Sequence, residues 1–473
     1  MAILAIDQGT SGTKAIVVDG DDVLAVAEVA VRPDYRNGGV VEQDPEELWR
    51  SVLDSGRAAV EESGAAIEAV SLANQGETVL AWDRSTGEPL TPAIVWQDRR
   101  AESICAELRD HAELVHERTG LLLDPYFSAP KMTWLRRELT GAGVVTTSDS
   151  WLVHRLTGEF VTDTSTASRS LVLDLARGDW DGELLELFGL ADEELPRLVA
   201  SDEIVGTTSA FGGDIPVGGL IVDQQAALLA EGCVEPGSAK CTYGTGAFLL
   251  LNRGDDPTPH PGGLATSIAW TLRDATTYCA DGQVYTAASA VRWLCDLGLI
   301  GSPAELDSVA AENSGGVLCS PAFAGLAAPW WRADVGASLH GLTLSTGRGE
   351  IVRAVLEGIA AHVAEMIDLG ERPARLRVDG GLTRSATLMQ AQADLSQVPV
   401  DLFGSEHATA LGAVATARLA LDPSTAVEDA LVAWSPARTY EPRWTGRDAA
   451  AFRDRWRATV ESGLSATPGK DVS

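Results

Sequence analysis

Lysine is close to absent from this chain: Lys14, Lys131, Lys240 and Lys470 are all there is in 473 residues. Arginine carries almost all the positive charge, and even so Lys and Arg total 36 against 68 Asp and Glu, a formal net charge of −32. A surface of that sign repels phosphate backbones and anionic headgroups, which argues against nucleic acid and membrane surfaces as partners. Long apolar runs are missing too. None approaches the roughly 20 residues that span a bilayer, so no membrane insertion is expected. The first residues carry no basic segment and reach an acid at Asp7, unlike a secretory signal, so the expected compartment is the cytoplasm. The six cysteines (Cys105, Cys233, Cys241, Cys279, Cys295, Cys319) form no Cys-x-x-Cys pair and have no histidine cluster beside them. They read as buried thiols rather than a metal framework. Hydrophobic residues still make up 45% of the chain. That is ample for large cores, and the length predicts about two to four domains.

What is present is a repeated turn. Ile3-Leu4-Ala5-Ile6 ends in Asp7-Gln8-Gly9-Thr10-Ser11-Gly12-Thr13-Lys14, after which Ala15-Ile16-Val17-Val18 resumes the apolar pattern. Two strand-like runs around a Gly-, Ser- and Thr-rich turn predict a β-hairpin. Glycines let backbone N–H groups approach a phosphate, and hydroxyls add donors. The acid at the base of the turn would repel bare phosphate but could hold the Mg²⁺ that accompanies ATP. Cys241-Thr242-Tyr243-Gly244-Thr245-Gly246-Ala247-Phe248 is a second such turn. Leu376-Arg377-Val378-Asp379-Gly380-Gly381 is a strand entering a glycine turn, followed by a helical pattern through Leu388, Met389 and Leu395. Between them, Ile221-Val222-Asp223-Gln224-Gln225 delivers an acid at a strand end. Asp223 there reads equally as a catalytic base or as a helix N-cap. One device occurring in both halves is the pattern of a duplication closing around one nucleotide.

These residues carry a resemblance. The two hairpins and the Asp-Gly-Gly turn resemble the phosphate and adenosine loops of the actin-like ATPase superfamily. Within it the chain is similar to the FGGY carbohydrate kinases, and to the glycerol kinases among them. The segment Tyr126-Phe127-Ser128-Ala129-Pro130-Lys131-Met132-Thr133-Trp134-Leu135 fits one family signature, and the span from Ala337 to Glu357 fits the other. The similarity runs from about Ile3 to about Leu421. It implies an α/β fold of two RNase H-like domains flanking a central cleft. The boundary is expected at the composition break Glu231-Gly232-Cys233, giving domains 1–231 and 232–458 and a disordered tail 459–473.

By the same resemblance Asp223 is the catalytic base, and Asp7 holds Mg²⁺ through water. Thr10, Ser11, Gly12 and Lys14 meet the phosphates of ATP, as do Thr245 and Gly246 on the second hairpin, with Gly381 on the adenine side. Ala288, Arg292 and Ser385 stand where the family carries Gly, Gln and Asn at the nucleotide site. The acceptor side would be Gly76, Glu77, Trp96, Tyr126, Asp223, Gln224 and Phe248. Carboxylate and amide groups take hydroxyls, and aromatic faces pack the C–H side of a polyol. One departure stands out: Asn74-Gln75-Gly76-Glu77 has Gly where relatives carry Arg. Gly76 is expected to remove a donor and leave room.

Three readings therefore stand. The first is an ATP-dependent kinase of glycerol or a similar small polyol. The second, motivated by Gly76, is the same chemistry on a tetritol or a pentulose such as xylulose. The third is an ATP-driven regulatory clamp without a small acceptor. A homodimer is left open. Some relatives bind a sugar bisphosphate in a basic surface loop before the catalytic strand. The matching stretch here, Thr207 to Pro216, has no Lys, Arg or His and contains Asp214, so insensitivity to fructose bisphosphate is expected.

Overall fold

The structure is a computed structural model and describes residues 1–466. The first expected hairpin forms: Ala2–Gln8 pairs antiparallel with Gly12–Asp19, and the Gly9 N–H donates to the Gly12 carbonyl at 3.0 Å. Asp22–Ala30 extends the sheet on one side. On the other side, Ile67–Asn74 and then Ile215–Val222 add in parallel. The second hairpin repeats this plan. Ala239–Tyr243 pairs antiparallel with Ala247–Gly254, which pairs with Ala275–Val284, while Leu376–Asp379 and Val400–Leu402 add in parallel. Each sheet thus carries the same inner order, with its hairpin central and two parallel strands beyond. Strands buried on both faces account for the unbroken apolar runs: Ile3, Leu4, Ala5 and Ile6 are all fully buried.

Helix boundaries follow local chemistry. Pro45–Ser63 is capped by Asp44, whose carboxylate accepts the Glu46 N–H at 2.9 Å, and it stops at Gly64 with φ 60°. Arg348–Leu369 is buried nearly all round from Val352 to Ile367. A helix (Ala386–Ser396) and a strand (Leu318–Ser320) pack on it as well as the sheet. The segment 99–111 forms the helix Glu102–Glu107 and a short turn Arg109–His111. Its first residues are held instead by Asp98, whose carboxylate accepts the backbone N–H and the guanidinium of Arg100.

The C-terminal expectation needs correction. Gly446–Ala466 is one helix, with Val460 fully buried and the Trp456 indole N–H donating to the Cys319 carbonyl at 2.7 Å. Residues 459–466 therefore belong to the fold; 467–473 lie outside the described residues.

The two sheets meet over a shared core. Helix Ala408–Leu421 packs on the first sheet and on helix Asp223–Ala230. Ile3, Ile16 and Ile221 join Leu411, Val414 and Phe403 in that cluster. At the crossing, Gly412 lies so close that a Cβ there would sit 2.5 Å from the Ala226 carbonyl carbon. Only glycine permits that approach, and the helix it touches begins with Asp223.

Candidate active site

Asp223 is the first residue of its helix, directly after the buried strand Ile215–Val222. The capping alternative fails: no side chain caps this helix, and the Asp223 carboxylate accepts only the neighbouring Gln224 N–H, at 2.7 Å. Burial is the main reason its carboxyl is held above the usual carboxylate range, with the Gln224 amide, Lys240 and Arg169 opposing. A carboxyl held above its usual range and lining a cavity can take up a proton there.

One small cavity is lined by Glu77, Tyr126, Asp223, Gln224 and Phe248, five residues that the sequence placed together. Glu77 enters it from a turn with φ 59°, a left-handed conformation uncommon outside glycine, so its backbone is bent to aim the carboxylate. Trp96 stands edge-on to Tyr126 at 5.5 Å and to Phe248 at 6.1 Å between ring centroids. Its indole N–H donates to the Thr10 hydroxyl at 2.9 Å, and that hydroxyl donates to the Gln75 amide oxygen at 2.9 Å. The first hairpin turn is thereby tied to the acceptor wall. With its one hydrogen engaged, the Thr10 hydroxyl has none to offer a phosphate.

Four side chains at or beside the cavity were not foreseen as part of it: Arg169, Asp281, Lys240 and Lys131. Arg169 reaches the cavity from the end of the short helix Thr164–Ala167, donating through Nε to Glu77 and through Nη1 to Asp281 at 2.8 Å. Asp281 comes from Ala275–Val284 of the second sheet, so this ion triad crosses the cleft. Lys240, fully buried, donates to the Gln224 amide oxygen and to the Thr242 hydroxyl, both at 2.7 Å. Lys131 is also fully buried; it holds the turn before its helix by donating to the carbonyls of Pro125, Tyr126 and Phe127 at 2.8, 2.5 and 2.6 Å. Arg169 overturns the reading of Gly76 as open space. A Cβ at Gly76 would lie 3.8 Å from Arg169 Cδ and 3.0 Å from Val222 Cγ2. A guanidinium is present, delivered from another segment.

The nucleotide side assembles in part. Asp7 faces Lys14 across the hairpin, and burial with the nearby Asp223 charge pushes its carboxyl up to about 7. Gly246 is required by close packing, since a Cβ would sit 2.6 Å from the Val284 carbonyl oxygen. The Thr245 side chain is exposed beside it, and the Thr245 and Gly244 carbonyls accept the backbone N–H groups of Ala287 and Ala288 at 2.8 and 3.0 Å. Gly381 opens a short turn after Gly380, with nothing within 4 Å of where its Cβ would stand. Arg292 is exposed on helix Ala288–Asp296, its charge close enough to Tyr35 of the N-terminal half to act on that hydroxyl. Ser385 departs from expectation. Its hydroxyl accepts the Leu388 N–H at 3.2 Å and donates to Asp307 at 2.7 Å, so it caps helix Ala386–Ser396 and is not available to a base.

No three or more His, Cys, Asp or Glu side chains converge as a closed metal cage among the described residues. A lone Asp7 carboxylate beside Asp223 fits Mg²⁺, which keeps several waters and takes one or two carboxylates with phosphate oxygens. No described helix is long and apolar enough to cross a membrane.

Comparison with known proteins agrees with this geometry. Residues 2–230 match the N-terminal domain, and residues 239–421 the C-terminal domain, of the FGGY family of carbohydrate kinases. A glycerol kinase of Alkalilimnicola ehrlichii is 44% identical over 464 residues, covering 92% of this chain and 94% of that one. The crystal structure of a Plasmodium falciparum glycerol kinase with ADP superposes with a TM-score of 0.90 at 31% identity, covering 98% of each chain. A xylulose kinase from Rhodospirillum rubrum superposes at 0.84 with 25% identity, covering 98% of this chain and 99% of that one. The repeated actin-like sheets, the acid-lined cleft between them and these matches establish that the chain belongs to the FGGY family of carbohydrate kinases, ATP-dependent phosphotransferases with an alcohol acceptor.

Proposed function

We propose that the protein transfers the γ-phosphoryl group of ATP to a hydroxyl of glycerol or a similar small polyol. The observation that carries this reading is a small cavity joining Asp223, Glu77 and Gln224 to an aromatic wall, between two phosphate-type hairpins. Residues 1–231 and 232–458 are taken as the two walls of the cleft.

The acceptor hydroxyl gives its proton to Asp223 as its oxygen forms a bond to phosphorus and the bond to the ADP oxygen breaks. Lys240 holds the Gln224 side chain by its amide oxygen, which leaves the amide N–H₂ to donate to an acceptor hydroxyl. Trp96, Tyr126 and Phe248 cover the carbon skeleton and exclude water, the competing phosphoryl acceptor. The Thr10 and Ser11 backbone N–H groups, which no backbone partner uses, are the donors offered to the phosphates. Asp7 would hold Mg²⁺, which when bound supplies charge to the phosphate oxygens.

The small cavity and the guanidinium supplied by Arg169 favour a three-carbon polyol over a pentulose. Initial rates of ADP release across glycerol, erythritol and xylulose decide between them. The expected result is the highest kcat/KM for glycerol; a clear preference for xylulose would overturn the acceptor assignment while leaving the kinase reading in place.

A further inference from the structure

Arg169 occupies the region that a long side chain at position 76 would enter: a Cβ at Gly76 would sit 3.8 Å from its Cδ and 3.9 Å from its Nε. Its guanidinium is held on two sides. Nε donates to Glu77, and Nη1 donates to Asp281 at 2.8 Å and to the Ser267 hydroxyl at 3.4 Å. The group lies 5.7 Å from the Tyr126 ring centroid and 5.6 Å from that of Phe127, which fixes its plane. Nη2 has no hydrogen-bond partner among the described residues and is not among the fully enclosed unpartnered atoms, and Arg169 lines the acceptor cavity. Two N–H donors of a rigid fork are therefore left for a ligand.

A buried triad of one cation and two carboxylates is a costly way to build a core, because desolvation offsets much of its Coulomb attraction. It is well suited to a polyol. The guanidinium only donates, the carboxylates only accept, and a hydroxyl does both.

We infer that Arg169 orients the acceptor: Nη2 binds the hydroxyl remote from the one phosphorylated, replacing a donor at position 76, with Glu77 and Asp281 setting its position. This rests on the small-polyol kinase reading. Because Asp281 belongs to the opposite sheet, the donor reaches its full arrangement only when the two walls stand this close.

The test is a cycle between enzyme and substrate. kcat/KM is measured for glycerol and for propane-1,2-diol, which lacks the remote hydroxyl, with the wild type and Arg169→Lys. Lysine keeps the charge but loses the fork. The preference of the wild type for glycerol over the diol should fall by about ten- to a hundredfold in the variant, the usual size of a lost charged hydrogen bond. A merely structural role would slow both acceptors alike and leave the ratio unchanged, which would overturn the inference. Asp281→Asn provides a second reading that keeps Arg169 itself. It should lower the same ratio by a smaller factor, and an unchanged ratio there counts against the inference even if Arg169→Lys does not fold. Failure of the wild type to phosphorylate glycerol at all would instead reject the acceptor reading on which the inference stands.

Discussion

Gly412→Ala puts the coupling between domain packing and catalysis to a direct test. In an isolated helix the change would stabilise by about 1 kcal/mol, because alanine is the better helix former. Here the new Cβ would sit 2.5 Å from the Ala226 carbonyl carbon and 2.8 Å from its Cα, where ordinary contact begins near 3.4 Å. The obstacle is backbone, so no side chain can rotate away. Helix Ala408–Leu421 must retreat from helix Asp223–Ala230 by roughly 1 Å, and overpacking of this kind costs about 1–3 kcal/mol. The net effect expected is a loss of up to about 2 kcal/mol, read as a lowered Tm in scanning fluorimetry. Asp223 begins the displaced helix, so kcat should fall as well; a shift of about 1 Å at a reacting group is worth on the order of a hundredfold. A Gly412→Ala protein with a raised Tm and unchanged kcat would show that the helix contact is slack and that it does not position the base.

Other expected outcomes follow from single groups. Asp223→Asn should melt like the wild type and lose about 10²–10⁴ in kcat, measured by ADP release at saturating acceptor. Gly76→Arg should raise the KM for glycerol, contrary to what the sequence alone suggests, because the new chain meets Val222 at 3.0 Å and a like charge on Arg169. Ser385→Ala should cost about 1 kcal/mol of stability through the lost helix cap and leave the KM for ATP unchanged. Asp163 is pushed up to about 7 by burial, so its folded form favours the proton and the stability it contributes is lost as pH rises from about 4 through 7. Asp163→Asn should therefore melt higher relative to wild type at pH 8 than at pH 5 in paired thermal scans. Millimolar fructose 1,6-bisphosphate should leave initial rates unchanged, since the 209–214 turn carries no cation of its own and its Phe211 is buried against Gly56.

Much of the site was legible because local chemistry wrote it. The glycine turns predicted both hairpins. The acceptor residues lay in recognisable motifs, and five of them share one cavity. What escaped were groups whose meaning is tertiary. Arg169 sits in an ordinary-looking Ser-Arg-Ser stretch, and its role depends on Glu77 and Asp281, which lie 92 and 112 residues away. Ser385 reads as a nucleotide contact until Asp307, 78 residues earlier, is seen holding the same helix end. The tail looked too polar to pack, yet one turn-spaced set, Phe452, Trp456 and Val460, anchors its helix. One signal was available and unused. In a chain with four lysines, Lys131 and Lys240 are fully buried, one holding the turn that carries Tyr126 and the other the Gln224 side chain. Where arginine serves every other need, a retained buried lysine marks a place that requires a compact ammonium with three donors.

The central claim is that the phosphoryl group goes to a hydroxyl bound beside Asp223 and not to water. Phosphorus NMR of a reaction containing ATP, Mg²⁺ and glycerol follows it most directly. The account predicts a new phosphomonoester resonance growing in equal amount to ADP with the wild-type protein, and its loss with Asp223→Asn. ADP accompanied only by inorganic phosphate would contradict it and leave an ATP-driven clamp on the same fold.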